Sequence, residues 1–359
     1  MIFVLDVKNK YGLDGNNTGS MMIEWSLHKI NETNVIVERS RPTLLIGVVD
    51  QKMSDRNEAD TSCCASCGIA GVDDIKLKKC TDCDLVRYCS DECQKDHRPH
   101  HERACKKRAA ELRDELLFKQ PESSHLGDCP ICMIPLPIDL SKSTMMDCCS
   151  KIICRGCSHA YDLRLVGTLK QCPFCREFAP STDDEADEQR MKRIKANDAD
   201  AMRQEGSLNY RKGNYVSALK WYKKAVELGD VEAHGRLASL YHEGQGVEKN
   251  RVKTKYHMEQ AAIGGHPMAR HNLGCIECNL DGQEEAHGNI ERAKRHLIIA
   301  AVQGYDLSMQ MLLAMFKGGL VSKDDLAATL RAHQAAVDAT KSPQRDAAEE
   351  YDRIENNIH

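Results

Sequence analysis

Sixteen of the eighteen cysteines in this 359-residue chain fall between Cys63 and Cys175, and most stand in Cys-x-x-Cys pairs. The pairs are Cys64/Cys67, Cys80/Cys83, Cys129/Cys132, Cys154/Cys157 and Cys172/Cys175, while Cys89/Cys93 and His101/Cys105 add spacings of four. A pair separated by two residues presents both thiolates to one ion from a tight turn. The pattern is therefore ligand material for about four tetrahedral zinc ions in two modules. Aromatic residues make up only 5% of the chain. The cysteine-rich stretch is too short and polar to fold by burial alone, so metal would have to supply its folding free energy. A disulfide-rich secreted protein is the competing expectation. It is disfavoured because Lys8 and Lys10 end the apolar start too early for a secretory signal, and because the spacings suit zinc. No run approaches the ~18 apolar residues of a transmembrane helix. The expectation is an intracellular protein, cytoplasmic, nuclear or both.

The net charge of −4 gives no support for a general nucleic-acid binder. Between Thr61 and Ala110 ten Lys/Arg face eight Asp/Glu. A zinc on four thiolates carries −2, and one on three thiolates and an imidazole carries −1, so the module ends near neutral. A phosphate-tracking finger would carry a clear basic stripe. No nucleotide-binding glycine loop or Ser-His-Asp pattern is visible. Cys275/Cys278 lies in a helical stretch without a partner pair and reads as structural. The scattered histidines of the C-terminal half show no ligand spacing.

From about residue 196 the cysteines nearly vanish and a repeat emerges. Asn214, Asn250 and Asn289 are each followed eleven residues later by alanine (Ala225, Ala261, Ala300) and fifteen later by glycine (Gly229, Gly265, Gly304). Each unit predicts two antiparallel helices, with alanines where the helices touch and a glycine as left-handed cap. The stretch from Leu237 through Tyr241, Gly244 and Gly246 resembles the SEL-like repeat. The first unit, with Gly206, Tyr210, Gly213, Tyr215, Ala218, Tyr222 and Ala225, looks like the related tetratricopeptide repeat. The third unit carries an insertion at 281–287, expected to be a longer loop. Ser322-x-x-Asp325 predicts a capping box for a last helix through about Thr340.

The first cysteine module runs Cys64, Cys67, Cys80, Cys83, Cys89, Cys93, His101, Cys105 and is similar to a MYND-type zinc finger over its whole length. The resemblance implies interleaved sites, one of Cys64, Cys67, Cys89 and Cys93 and one of Cys80, Cys83, His101 and Cys105. Cys63 competes with Cys64 for its place, and His97 and His100 compete with His101. MYND modules usually bind short proline-containing peptides through the Gln after the sixth cysteine and a Trp just beyond. Gln94 is present, but Arg98 stands at the Trp position. A purely structural role weighs nearly equally with peptide binding.

The second module runs Cys129, Cys132, Cys148, Cys149, Cys154, Cys157, Cys172, Cys175 and resembles an all-cysteine RING-type finger. That resemblance implies one zinc on Cys129, Cys132, Cys154 and Cys157 and another on Cys148, Cys149, Cys172 and Cys175. The adjacent Cys148-Cys149 departs from the usual separated ligands, and His159 or solvent could replace one of them. Ile131, Tyr161, Pro173 and Phe174 stand where RING ligases grip a ubiquitin-conjugating enzyme. Arg176 stands where such ligases hold a cation that positions the ubiquitin thioester. Against this, the apolar residues could be only the module's small core, and Arg176 a surface cation.

The expected architecture is multidomain: two small zinc-stabilised modules with little regular structure, then an all-α solenoid of antiparallel helix pairs. The expected boundaries are an uncertain or disordered segment 1–60, whose first 52 residues need not belong to the natural product, and a MYND-type finger at 61–106. A helical linker follows at 107–122, the RING-type finger at 126–178 and an acidic linker at 179–195, whose acidic run from Asp183 reads as linker or helix start. The helical repeats occupy 196–341 and a disordered tail 342–359. The reading that follows is a RING-type ubiquitin-protein ligase whose repeats hold a protein client. The alternative is a non-enzymatic, zinc-binding interaction scaffold.

Overall fold

The computed structural model describes residues 63–71, 76–165, 170–278 and 286–358. The segment 1–60 and most of the 281–287 insertion lie outside the described residues. The described chain divides into two units, one ending at Lys119 and one beginning at Gln120.

In the first unit, β1 (Lys78–Lys79) and β2 (Arg87–Tyr88) pair antiparallel, and α1 follows over Asp91–Leu117. Ser90 caps α1 by accepting from the Cys93 amide, and Asp91 and Glu92 complement the helix N-terminus. The helical linker expected at 107–122 is corrected here. It is the second half of α1, which starts inside the finger and runs through Pro99. A single helix can carry Cys93, His101 and Cys105 because spacings of eight and four return to one face. The core of this unit is Cys64, Cys80, Cys83 and Tyr88, so the ligands themselves are most of what is buried.

The second unit opens with another small module. β3 (Ser143–Met145) pairs antiparallel with β4 (Ile152–Cys154), and α2 (Arg155–Arg164) follows directly. Cys129, Leu136, Ile153, Cys154 and Cys157 form its miniature core. Then come α3 (Asp183–Lys195), α4 (Ala199–Arg211), α5 (Tyr215–Glu227), α6 (Val231–Glu243) and α7 (Arg251–Ile263). The helices α8 (Pro267–Cys278), α9 (Ala286–Val302), α10 (Asp306–Lys317), α11 (Lys323–Ala339) and α12 (Pro343–Ile358) complete the chain.

The repeat logic holds in detail. Ala225, Ala261 and Ala300 are wholly buried. Gly229, Gly265 and Gly304 take φ of 87°, 85° and 90°, the left-handed cap that a side chain would strain. One apolar core joins Ile194, Leu219, Tyr222, Leu237 and Tyr241, and another joins Leu297, Leu312, Met315 and Leu326. Ser322 caps α11 as its spacing predicts.

Two further expectations resolve in favour of helix. The acidic linker 179–195 is largely α3, capped by Thr182, with Asp183, Asp184 and Glu185 in its first turn and Lys192, Arg193 and Lys195 in its last. That distribution suits the helix dipole, and Ile194 enters the array's core. The tail 342–359 is not disordered through most of its length, because α12 packs on the second cysteine module. Its heptad-like contacts (Arg345, Ala348, Asp352) are too few and too polar to stand out in sequence.

Candidate metal centres

Four of the cysteine pairs build the same turn. The amides of Gly68, Asp84, Met133 and Arg176 donate to the carbonyls of Cys64, Cys80, Cys129 and Cys172 at 2.8, 3.1, 2.8 and 3.0 Å. In each case the residue after the second cysteine takes positive φ: 74°, 57°, 56° and 62°. The turn aims two sulfurs to one side and turns backbone amides toward them, as when Phe174 N–H approaches the Cys172 sulfur at 3.4 Å. The fifth pair is different. Cys154 is the cap of α2, its sulfur accepting from the Cys157 amide.

Among the described residues these turns bring sixteen donors into four clusters, each with its donor atoms within 4.8 Å of one another. They are Cys64, Cys67, Cys89 and Cys93; Cys80, Cys83, His101 and Cys105; Cys129, Cys132, Cys154 and Cys157; and Cys148, Cys149, Cys172 and Cys175. Tetrahedral Zn–S bonds of about 2.3 Å require sulfurs roughly 3.8 Å apart. The clusters approach that spacing: Cys67–Cys89 3.6 Å, Cys80–Cys105 3.8 Å, Cys132–Cys154 3.8 Å and Cys149–Cys172 3.6 Å. All eighteen cysteines are free thiols. Burial would raise the Cys64 thiol, but the amides of Cys67, Cys89 and Ser66 outweigh it and bring it down to about 6. Cys129 falls to about 7 against the same burial, through the amides of Cys132, Cys154 and Ile131. Their cluster partners shift the other way, Cys89 pushed up by the neighbouring sulfurs of Cys67 and Cys93 and Cys157 pushed up first by burial, so it is the donor set that fits zinc.

Several alternatives open in the sequence take definite places. Cys64, not Cys63, faces the first cluster. His101 Nε2 lies 3.1 Å from the Cys83 sulfur, whereas His97 Nδ1 pairs with the Tyr88 hydroxyl at 3.0 Å and His100 is exposed. The adjacent Cys148 and Cys149 both reach the fourth cluster, and His159 instead packs against the ring of Tyr351 at 4.7 Å. Gln94 is half-buried on α1 with Arg98 exposed one turn on.

Ile131 is exposed on the third cluster's turn, while Phe174 packs into the miniature core. Tyr161 donates its hydroxyl to the Gln171 carbonyl at 2.8 Å. Arg176 is the left-handed residue that closes its turn. Pro173 is half-buried beside Phe174.

A further cluster, His125, Glu232 and His266, leaves no mark in the sequence, because its members are scattered and belong to no spacing motif. His266 Nε2 lies 2.8 Å and His125 Nε2 3.3 Å from one Glu232 oxygen, and the two imidazoles stack at 4.4 Å. Burial would raise the Glu232 carboxyl, but the imidazoles beside it hold it well below the usual range. The Ala269 amide donates to His266 Nδ1, which puts that ring's proton on Nε2, facing the carboxylate. The parallel rings and this tautomer describe a hydrogen-bonded carboxylate joining the 123–127 segment to the array rather than a chelate. A cleft of about 1680 Å³ opens beside it, lined in part by Arg236, Gln303 and Arg345.

Comparison with known proteins agrees with this division. The MYND finger family matches residues 64–105, and the Sel1 repeat matches 198–230, 231–266 and 267–305. Among solved structures, a Sel1 repeat protein from Oxalobacter formigenes is 24% identical over 43% of this chain and 64% of its own, with a TM-score of 0.35. A protective antigen of uropathogenic Escherichia coli strains, displaying an SLR fold, is 19% identical over 48% of this chain and 37% of its own, also at 0.35. The chain thus spans less than two thirds of either protein. No curated protein matches it. Among the described residues no helix is long and apolar enough to cross a membrane.

Proposed function

We propose that this chain is a zinc-held interaction scaffold, in which two cysteine modules and a Sel1-type array each offer a surface to other proteins. The observation that carries the proposal is the pairing of complete four-donor clusters with a helical array that has its own core. A cluster with four protein donors leaves no open position for metal catalysis. Sel1 repeats are protein-interaction units, and the matched units here are complete helix pairs. On this reading the first module holds zinc on Cys64, Cys67, Cys89 and Cys93 and on Cys80, Cys83, His101 and Cys105. Gln94 and Arg98 then form the polar end of a peptide surface, and a protein client lies along the array.

A second reading, a RING-type ubiquitin ligase, is favoured by one specific feature. On α2, Tyr161 lies about 200° round from His159, the residue that packs on α12. The face expected to meet a conjugating enzyme is therefore not the one α12 covers. Ile131, Pro173, Phe174 and Arg176 would complete that surface, with zinc on the remaining two clusters. The test is an autoubiquitination assay of zinc-loaded protein with a panel of conjugating enzymes. The scaffold reading expects no chains from any of them. Chains formed by the wild type and lost in Ile131→Ala and Arg176→Ala would replace it with the ligase.

A further inference from the structure

The C-terminal helix is stitched to the second cysteine module by residues some 210 apart in sequence. Arg345 is buried at 6% exposure. Its Nη1 donates to the carbonyls of Pro135 and Thr340 at 2.8 and 2.7 Å. Its Nη2 donates to the Ile134 carbonyl at 3.1 Å and to the Cys132 sulfur at 3.6 Å. Two turns further along, Arg155 grips Asp352 with two donors at 3.0 and 2.6 Å, and Lys142 reaches Glu349 at 2.8 Å. The backbones also meet. A Cβ on Gly156, between Cys154 and Cys157, would lie 2.7 Å from the Arg345 amide nitrogen. Helix and cysteine turn are therefore in direct contact.

We infer that Arg345 is the counter-charge of the metal cluster on Cys129, Cys132, Cys154 and Cys157, and that docking of α12 depends on that cluster being loaded. The inference rests on the reading of those four cysteines as zinc ligands. Its logic is charge balance. Zinc on four thiolates carries −2, and a cluster whose sulfurs are mostly buried needs donors or a cation beside it. The guanidinium sits on one of those sulfurs. Conversely, its other three acceptors are neutral carbonyls, so without the cluster Arg345 would be a buried cation with no anion in its hydrogen-bond set. If the metal leaves, nothing holds the four sulfurs together beneath the guanidinium, and that partner is lost. By linkage, each then stabilises the other: metal favours docking, and docking favours metal. Glu349 and Asp352 orient the helix through ion pairs one and two turns beyond Arg345.

The experiment uses the full-length, zinc-loaded chain. Zinc is counted by native mass spectrometry, then a chelator is added and thiol alkylation is followed peptide by peptide, with hydrogen exchange read over 343–355. Outer partners of metal ligands are typically worth 10–100-fold in metal affinity. Arg345→Ala should therefore speed alkylation of Cys129, Cys132, Cys154 and Cys157 by roughly tenfold or more, and leave Cys64, Cys67, Cys89 and Cys93 unchanged. Arg345→Lys should recover part of the loss, since it keeps the charge and not the fork. Asp352→Ala, remote from the sulfurs, should act in the same direction more weakly. In the wild type, α12 amides should lose protection as the module's zinc is stripped, a readout that needs no variant to fold. Wild-type alkylation rates in Arg345→Ala, or an α12 that stays protected after zinc loss, would overturn the inference. A wild type whose Cys129, Cys132, Cys154 and Cys157 are alkylated at once without chelator would instead overturn the zinc assignment on which it rests.

Discussion

At the scale of single residues, chemistry was legible where spacing dictates geometry. A Cys-x-x-Cys pair can close only a few turns, and four of the five pairs close the same one. What spacing could not decide was which of three neighbouring imidazoles turns inward. His97, His100 and His101 all lie on α1, and α1 begins earlier than composition suggests. His97 stacks on His101 one turn earlier on the same face but is taken by the Tyr88 hydroxyl, whereas His101, one turn from Cys105, meets Cys83. His101→Ala is expected to remove one zinc from the first module, as counted by native mass spectrometry. His97→Ala should keep the full count and lose only the Tyr88 contact. An unchanged count in His101→Ala would move the ligand role to a neighbour. Arg345, by contrast, was not legible at all, because three of its four partners, two carbonyls and a sulfur, lie more than two hundred residues away.

At the scale of elements, the repeat was readable because alanine and glycine recur at fixed offsets from asparagine, and the alanines are buried between helices while the glycines close them. The asparagines themselves differ, Asn250 capping α7 while Asn214 makes no cap bond and Asn289 lies within α9. The boundaries failed where a helix is polar. α3 reads as an acidic linker until its basic end is seen to complete a dipole pattern, and α12 is held by ion pairs rather than an apolar stripe. Contacts between helices carry their own pH dependence. His271 on α8 joins Ser308 on α10 at 3.0 Å and lies 3.5 Å from the Cys275 sulfur. Burial pushes its imidazole down from 6.5 to about 4. The unfolded chain therefore takes up a proton near pH 6.5 that the folded array refuses until about pH 4. The array should be unaffected above that window and lose stability as pH falls through it, by up to about 3 kcal/mol from this residue. Thermal melts between neutral and mildly acidic pH check this. His271→Gln should show a shallower dependence than wild type, and an equal slope would remove His271 as a cause.

At the scale of the molecule, the two kinds of folding energy are kept apart. The array's cores contain Leu, Met, Tyr and Ala, with Cys275 the one thiol in them, while the cores of both cysteine modules are built around the ligands. Burial can sustain the first kind, whereas the second depends on metal, for which structural zinc supplies on the order of 10–16 kcal/mol in small peptides. The charged hub of His125, Glu232 and His266 contains no thiol and should outlast zinc removal. A strong chelator is therefore expected to abolish the protection of residues 64–105 and 129–175 in hydrogen exchange. It should take the helical signal of α1, α2 and α12 with it, and leave α4 to α11 folded with their thermal transition little changed. The measurement is circular dichroism before and after chelation, with exchange mapped by peptide. If the whole helical signal collapsed, the array would owe its stability to the metal, and the separation of cores described above would not be a separation of folding units.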